Sequence, residues 1–175
     1  MRLSPAVAVA VITTIAALLL MAGEAVLSSF NERQLRARGA IEPEGDVIGS
    51  MQWAYPGAFI LLGIEGALTG PAPQNVLLGG LALFGVAKAL KVWAISALGS
   101  RWTYRVLVLP GAPLITSGPY RFIPHPNYLA VTGEIVSVAM IVWAPITGVL
   151  AAIGFGWLMI LRMKIEDRAL GRGAR

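Results

Sequence analysis

Five long apolar stretches constrain this chain more than any other feature, because few folds can house so much unbroken hydrophobic sequence. They run from about Pro5 to Met21, Trp53 to Leu68, Val76 to Leu98, Tyr128 to Trp143 and Ile146 to Leu161. At a rise of about 1.5 Å per residue, each helix approaches or exceeds a hydrocarbon core of roughly 30 Å. Charged residues make up only 13% of the chain, about half of what a soluble domain carries. The expected fold is an all-α integral membrane protein of about five transmembrane helices, with the apolar excess facing lipid.

The segments between these stretches give the order of the parts. The first stretch continues as a helical pattern to Arg38, with Val26, Leu27, Phe30 and Leu35 apolar, Glu32 four residues before Arg36, and Gly39 as a stop. A cleaved signal peptide is the rival for this stretch, since Arg2 precedes it and Gly23-Glu24-Ala25 loosely resembles a cleavage site. Residues 40–49 form a polar loop carrying Glu42, Pro43, Glu44, Gly45 and Asp46. Pro71 and Pro73 mark a short turn between the second and third spans. From Gly99 to Pro126 the periodicity fails, leaving a loop of roughly thirty residues that calls for a functional explanation. Asn127 is expected to cap the fourth helix, and Trp143-Ala144-Pro145 to split the last apolar run into a helical hairpin. One membrane domain results, with three spans in residues 1–98 and a second half in residues 99–175.

Positive charge then sets the sides. With the N-terminus outside, cytosolic segments hold Arg33, Arg36, Arg38, Arg101, Arg105, Arg121 and the five basic residues from Arg162 onward, eleven against Arg2 alone outside. The long loop and a C-terminal helix are thus expected in the cytosol, in a multi-pass protein of a bacterial inner membrane. The same placement of Lys and Arg beside apolar runs, without a basic and aromatic platform, argues against nucleic acid as a partner. The absence of cysteine and a single histidine, His125, remove thiolate chemistry, disulfides and multi-histidine metal sites.

Four charges fall inside expected spans: Glu65, Lys88, Lys91 and Glu134. A central charge costs about 2.5 to 3.5 kcal/mol on insertion scales, so each needs a partner or water. Lys91 and Glu134 lie at matching depths, roughly 10 Å inside the cytosolic boundary, and an ion pair between them is expected, either as a packing device between helices or as part of a polar cavity entered from the cytosol. Glu65 has no evident partner in the sequence. Gly66 and Gly70 form a GxxxG at a helix end, read as ordinary small-residue packing.

The chemistry concentrates in Gly118-Pro119-Tyr120-Arg121-Phe122-Ile123-Pro124-His125-Pro126-Asn127-Tyr128 and in Arg162-Met163-Lys164-Ile165-Glu166-Asp167. Prolines flanking His125 hold the chain's one imidazole on a stiff backbone. Arg162 and Glu166 share a helical face, which on spacing alone describes a surface pair. Together, the Gly-x-Tyr, the His-Pro-x-Tyr and the Arg four residues before a paired acidic site resemble the isoprenylcysteine carboxyl methyltransferase family. The resemblance covers roughly Trp93 to Leu170. Within the family, Arg101-Trp102-Thr103 and the run from Arg105 to Ile115 look most like a bacterial branch that O-methylates alkylpyrones. Three positions depart from the pattern: Pro124 stands for an Arg, Asp167 for a second Glu, and Ala112 where prenylcysteine enzymes often carry a His.

The resemblance implies S-adenosyl-L-methionine as cofactor. It implies cofactor contacts from Arg105, Ala112, Pro113, Leu114, Ile115, Tyr120, His125, Pro126, Asn127, Tyr128 and Glu166, and catalytic roles for Arg162 and Glu166, with Arg162 facing the substrate. A lipophilic acidic acceptor, carboxylate or enol, would enter from the bilayer. Methyl transfer from a sulfonium to an oxygen anion needs alignment and dryness rather than a side-chain nucleophile, which suits this inventory. Two other functions compete. His-Pro-Asn-Tyr also occurs in nicotinamide-dependent membrane sterol reductases, which usually place an acid soon after the Tyr, whereas Glu134 lies six residues beyond Tyr128. A non-catalytic lipid-binding or transport protein would have no need of Arg162 and Glu166.

Overall fold

The computed structural model of the chain describes residues 4–171. Arg2, Arg172 and Arg175, which entered the charge asymmetry, lie outside the described residues. Five helices make up the fold: α1 (Pro5–Ala37), α2 (Ile48–Thr69), α3 (Gln74–Leu98), α4 (Pro126–Val142) and α5 (Pro145–Ala169). Three of them, α1, α3 and α5, are long and apolar enough to cross a membrane by themselves, and α4 is a shorter apolar helix. The protein is a helical integral membrane protein, and side chains such as Trp53, Leu68, Val86, Ile153 and Trp157 stand exposed as its lipid-facing surface.

Ser4 caps α1 by accepting from the Val7 amide at 3.3 Å, and Pro5 supplies the preset first turn. At 33 residues, α1 is about 50 Å long and outruns the hydrocarbon core by roughly 20 Å. Its last turns therefore stand beside the long loop. The α2 helix starts at Ile48, a turn before the expected Trp53. The charged tail is no separate element: α5 continues unbroken past Leu161 to Ala169.

α4 is the central helix, packed by α1, α2, α3 and α5. Val131, Ile135, Val138 and Val142 are buried on it, in one cluster with Phe59, Leu62, Phe155 and Met159 of its neighbours. The cap of α4 differs from expectation. Pro126 occupies the first helical position and His125 the cap, so Asn127 lies inside the first turn. Proline at that position removes only an amide that the helix would leave unbonded, which makes the shifted start the cheaper one. At the other end Trp143 adopts a left-handed conformation, φ 57°, and the Ala144 amide bonds back to Ala139 at 2.8 Å, turning the chain into α5.

Two observations settle residues that the sequence left open. A Cβ at Gly66 would meet the Val142 carbonyl oxygen at 2.4 Å, so this glycine serves the contact of α2 with α4. Glu65 accepts from the amides of Ile146 at 3.0 Å and Thr147 at 2.6 Å, so its carboxylate caps the N-terminus of α5. An anion is stabilised there by the unpaired amides of the first turn.

Candidate functional site

The long loop folds back over the mouths of α4 and α5 and roofs a cavity of about 160 Å³. Gly118 makes the fold-back possible: its φ of 59° suits glycine, and a Cβ there would approach Ala97 on α3 to 2.7 Å. Arg105, Ala112, Pro113, Leu114, Ile115, Tyr120, His125, Pro126, Asn127, Tyr128, Arg162 and Glu166 all line this one cavity. Residues separated by up to 61 positions, from Arg105 to Glu166, are thus gathered around a single volume.

Its polar floor comes from α4 and α5. Tyr128 donates to Glu166 at 2.9 Å, and the His125 Nδ1 stands 3.7 Å from the same carboxylate. His125 Nε2 lies 3.1 Å from Asp167, so the imidazole is bracketed by both acids of the paired site. Asn127 keeps a buried amide oxygen with no partner among the described residues. A free, desolvated acceptor of this kind suits a ligand that brings its own donor.

Arg162 does not form the pair with Glu166 that their spacing suggested. It is buried, and its guanidinium turns the other way: it donates to the Tyr104 carbonyl, and lies 3.7 Å from the Asp46 carboxylate. Burial inside the bundle overrides the local i, i+4 geometry, because a buried cation binds the partners that share its cavity. A solvated surface pair is excluded.

The roof is strapped to the first half of the chain. Ile41 and Val108 exchange two backbone hydrogen bonds of 2.8 and 2.9 Å. Arg105 lines the cavity, yet its guanidinium is held by Glu42 at 2.7 Å and Glu32 at 3.1 Å. Arg36 reaches the same two acids, completing a network at the end of α1. Burial alone would raise the Glu42 carboxyl, but the hydrogen bonds from Arg36 and Arg105 outweigh it and hold it below its usual range. The sequence alone marked neither Glu42 nor Glu32 as part of the site, since their partners lie across a loop.

A second cavity of about 370 Å³ opens below the first, among α1, α2, α4 and α5. Leu18, Met21, Met51, Val131 and Phe155 make it largely apolar. The two cavities share Thr103, Asn127, Tyr128 and Arg162. Lys91, Tyr55 and Tyr104 of its wall belong to an ionic cluster. Lys91 pairs with Glu134 at 3.1 Å as expected, but Glu24 joins it at 2.6 Å and Lys88 completes a set of four. Tyr55 donates to Glu134 and Tyr104 to Glu24 at 3.3 Å. Glu24 was missed because its position looked like the start of a projecting helix rather than membrane interior.

The family model for isoprenylcysteine carboxyl methyltransferase matches residues 80–172, which contain the floor, the roof and both acids of this site. The chain belongs to this family. A Bacillus subtilis protein known as YpbQ and described as uncharacterised is 32% identical over 154 residues, spanning 85% of this chain and 89% of its own length. A match of that length extends beyond the segment of the family model and takes in α2. Family membership supports a membrane methyltransferase.

Proposed function

We propose that the protein uses S-adenosyl-L-methionine to methylate an acidic oxygen, carboxylate or enol, of a lipophilic molecule at the boundary between membrane and cytosol. The observation that carries this reading is the meeting of two unlike cavities at Arg162. One is polar-floored and roofed by the long loop, and the other is apolar and sunk among the helices. A hydrophilic methyl donor and a greasy acceptor need such a pair of compartments with one shared wall.

The residues fit the donor. Glu166 and the free Asn127 oxygen can accept from its ammonium or hydroxyl groups, and the walls from Ala112 to Ile115 can cover its apolar parts. Bound there, S-adenosylmethionine supplies a methyl group on a sulfonium. Arg162 is placed to hold the acceptor oxygen by charge-assisted hydrogen bonds, and the apolar chamber takes the hydrocarbon tail. An acceptor oxygen held by Arg162 would take that methyl group, and the electron pair of the broken carbon–sulfur bond would leave on the thioether. Opposite charges neutralise in that step, so exclusion of water by the roof and chamber favours it. The sterol reductase alternative gains nothing from the geometry, because Glu134 is consumed in the ionic cluster.

The eleven-to-one asymmetry of basic residues supports five spans with the N-terminus outside and this site toward the cytosol of a bacterial inner membrane. Reporter fusions at Pro73 and after Arg175 are expected on opposite sides, and two cytosolic signals would refute the span count. The function is tested by calorimetry with S-adenosylmethionine, and by transfer of its labelled methyl group into a bacterial lipid extract. Binding that weakens in Glu166→Gln, with label in a lipid product, supports the proposal. A wild-type protein that binds no S-adenosylmethionine contradicts it.

A further inference from the structure

Asp46 lies in the α1–α2 loop, outside the segment that carries the family motif. Its carboxylate is only 4% exposed, and its nearest cationic group is the guanidinium of Arg162, 3.7 Å from Oδ2. That oxygen also accepts from the Val106 amide at 3.2 Å, so it is anchored to the roof of the first cavity. The other oxygen, Oδ1, is buried with no hydrogen-bond partner among the described residues. A buried carboxylate normally exhausts its acceptors, and one left open beside a ligand cavity needs an explanation.

The contact with Arg162 is too long for a hydrogen bond, so the guanidinium is electrically balanced by Asp46 without being tied to it. Its N–H groups donate to the Tyr104 carbonyl and, weakly at 3.7 Å, to the Met51 sulfur, and the Tyr128 hydroxyl also bonds to it. The guanidinium otherwise lines the two cavities. We infer that Asp46 is the positioning residue of the acceptor site, the internal counter-ion that orients Arg162 and competes with an incoming anionic oxygen for it. The inference rests on the methyltransferase reading for its consequence in turnover, but not for its consequence in binding. Two opposite effects follow. Removing the competitor strengthens the hold of Arg162 on any lipophilic anion, while removing the orienting charge lets the guanidinium wander from the geometry that transfer requires.

The test uses the full-length protein in detergent and a fluorescent long-chain fatty acid as the anionic probe. Asp46→Asn is expected to bind the probe about three- to tenfold more tightly, the size of one charge contact at a half-open site. Affinity for S-adenosylmethionine stays within about twofold, and methyl transfer to the labelled lipid product falls about tenfold. Arg162→Met abolishes the gain, and adding Asp46→Asn to it changes probe affinity no further. A merely structural Asp46 would weaken probe and cofactor binding together. That result, unchanged probe affinity, or a wild type that binds no probe overturns the inference. Should Asp46→Asn fail to fold, Asp46→Glu decides: its carboxylate reaches further toward the guanidinium and is expected to weaken probe binding, and affinity equal to wild type refutes the role. Failure of wild type to bind S-adenosylmethionine would strike the methyltransferase reading while leaving the probe result intact.

Discussion

Two buried charge sites stand side by side in this bundle, and they are built on opposite plans. In the cluster of Glu24, Lys88, Lys91 and Glu134, each ammonium lies within 3.1 Å of both carboxylates. The set is neutral, each charge facing two opposite ones, with Tyr55 and Tyr104 adding hydroxyls. Around Arg162 there is one carboxylate at 3.7 Å, one carbonyl, the Met51 sulfur, the Tyr128 hydroxyl, and open volume on two sides. The charges of a set balanced in this way are spent largely on one another and lock α1, α3 and α4 together. An open one keeps donors in reserve. The difference separates holding from binding in a protein where both are done by the same residue types.

The sharpest way to break this contrast is to open the closed cluster. Lys91→Met leaves two carboxylates facing Lys88 alone, and stranding a buried charge costs about 3 to 5 kcal/mol, so the detergent melting midpoint should drop steeply. The double change with Glu134→Gln restores neutrality and should recover much of the loss. Additive losses would show that the pair is not coupled and that the cluster is less closed than its geometry indicates.

A smaller effect belongs to the far end of the bundle. Glu65→Ala removes the carboxylate that caps α5, which is expected to cost about 0.5 to 2 kcal/mol of stability with no change in S-adenosylmethionine affinity. A change in cofactor binding would show that α5 transmits strain from its N-terminus to Arg162 and Glu166 near its other end.

The smallest effect is at the strap. Glu42→Gln weakens a half-exposed ion network, worth under about 1 kcal/mol. Because the folded carboxyl titrates below its usual value near 4.5, its contribution is complete above that value and disappears as pH falls through the lowered folded one. The melting difference between wild type and Glu42→Gln should therefore be constant near neutrality and shrink as pH falls below the usual carboxylate value. A difference that grows on acidification would contradict the role of this carboxylate.

The helices were legible because apolar runs, proline and glycine act locally, and each of the five long helices was anticipated to within about two turns, while the short 3-10 turns at Gly99–Arg101 and Gly118–Arg121 were read as loop. The pairing of Lys91 with Glu134 was legible from depth alone. What escaped was every contact whose logic is three-dimensional. Glu24 and Asp46 look like loop or helix-end acids until the bundle buries them beside cations from distant segments. Arg162 and Glu166 looked paired because spacing on an isolated helix favours it, and the folded cavity pulls them toward different partners. Asn127 looked like a cap, and Pro126 took the earlier position. The gathering of motif residues around one cavity could be anticipated only through family resemblance, since nothing in the roof segment from Arg105 to Ile115 has a periodicity of its own.

The most direct test sets the two charge sites against each other in one assay. Labelled methyl transfer from S-adenosylmethionine is measured per folded protein for wild type, Lys91→Met with Glu134→Gln, and Arg162→Lys. If the closed cluster holds and the open site binds, the double variant keeps turnover within about threefold. Arg162→Lys then loses roughly ten- to a hundredfold, because an ammonium lacks the planar fork that aligns the acceptor oxygen. Equal losses in both, or full turnover in Arg162→Lys, would contradict the account.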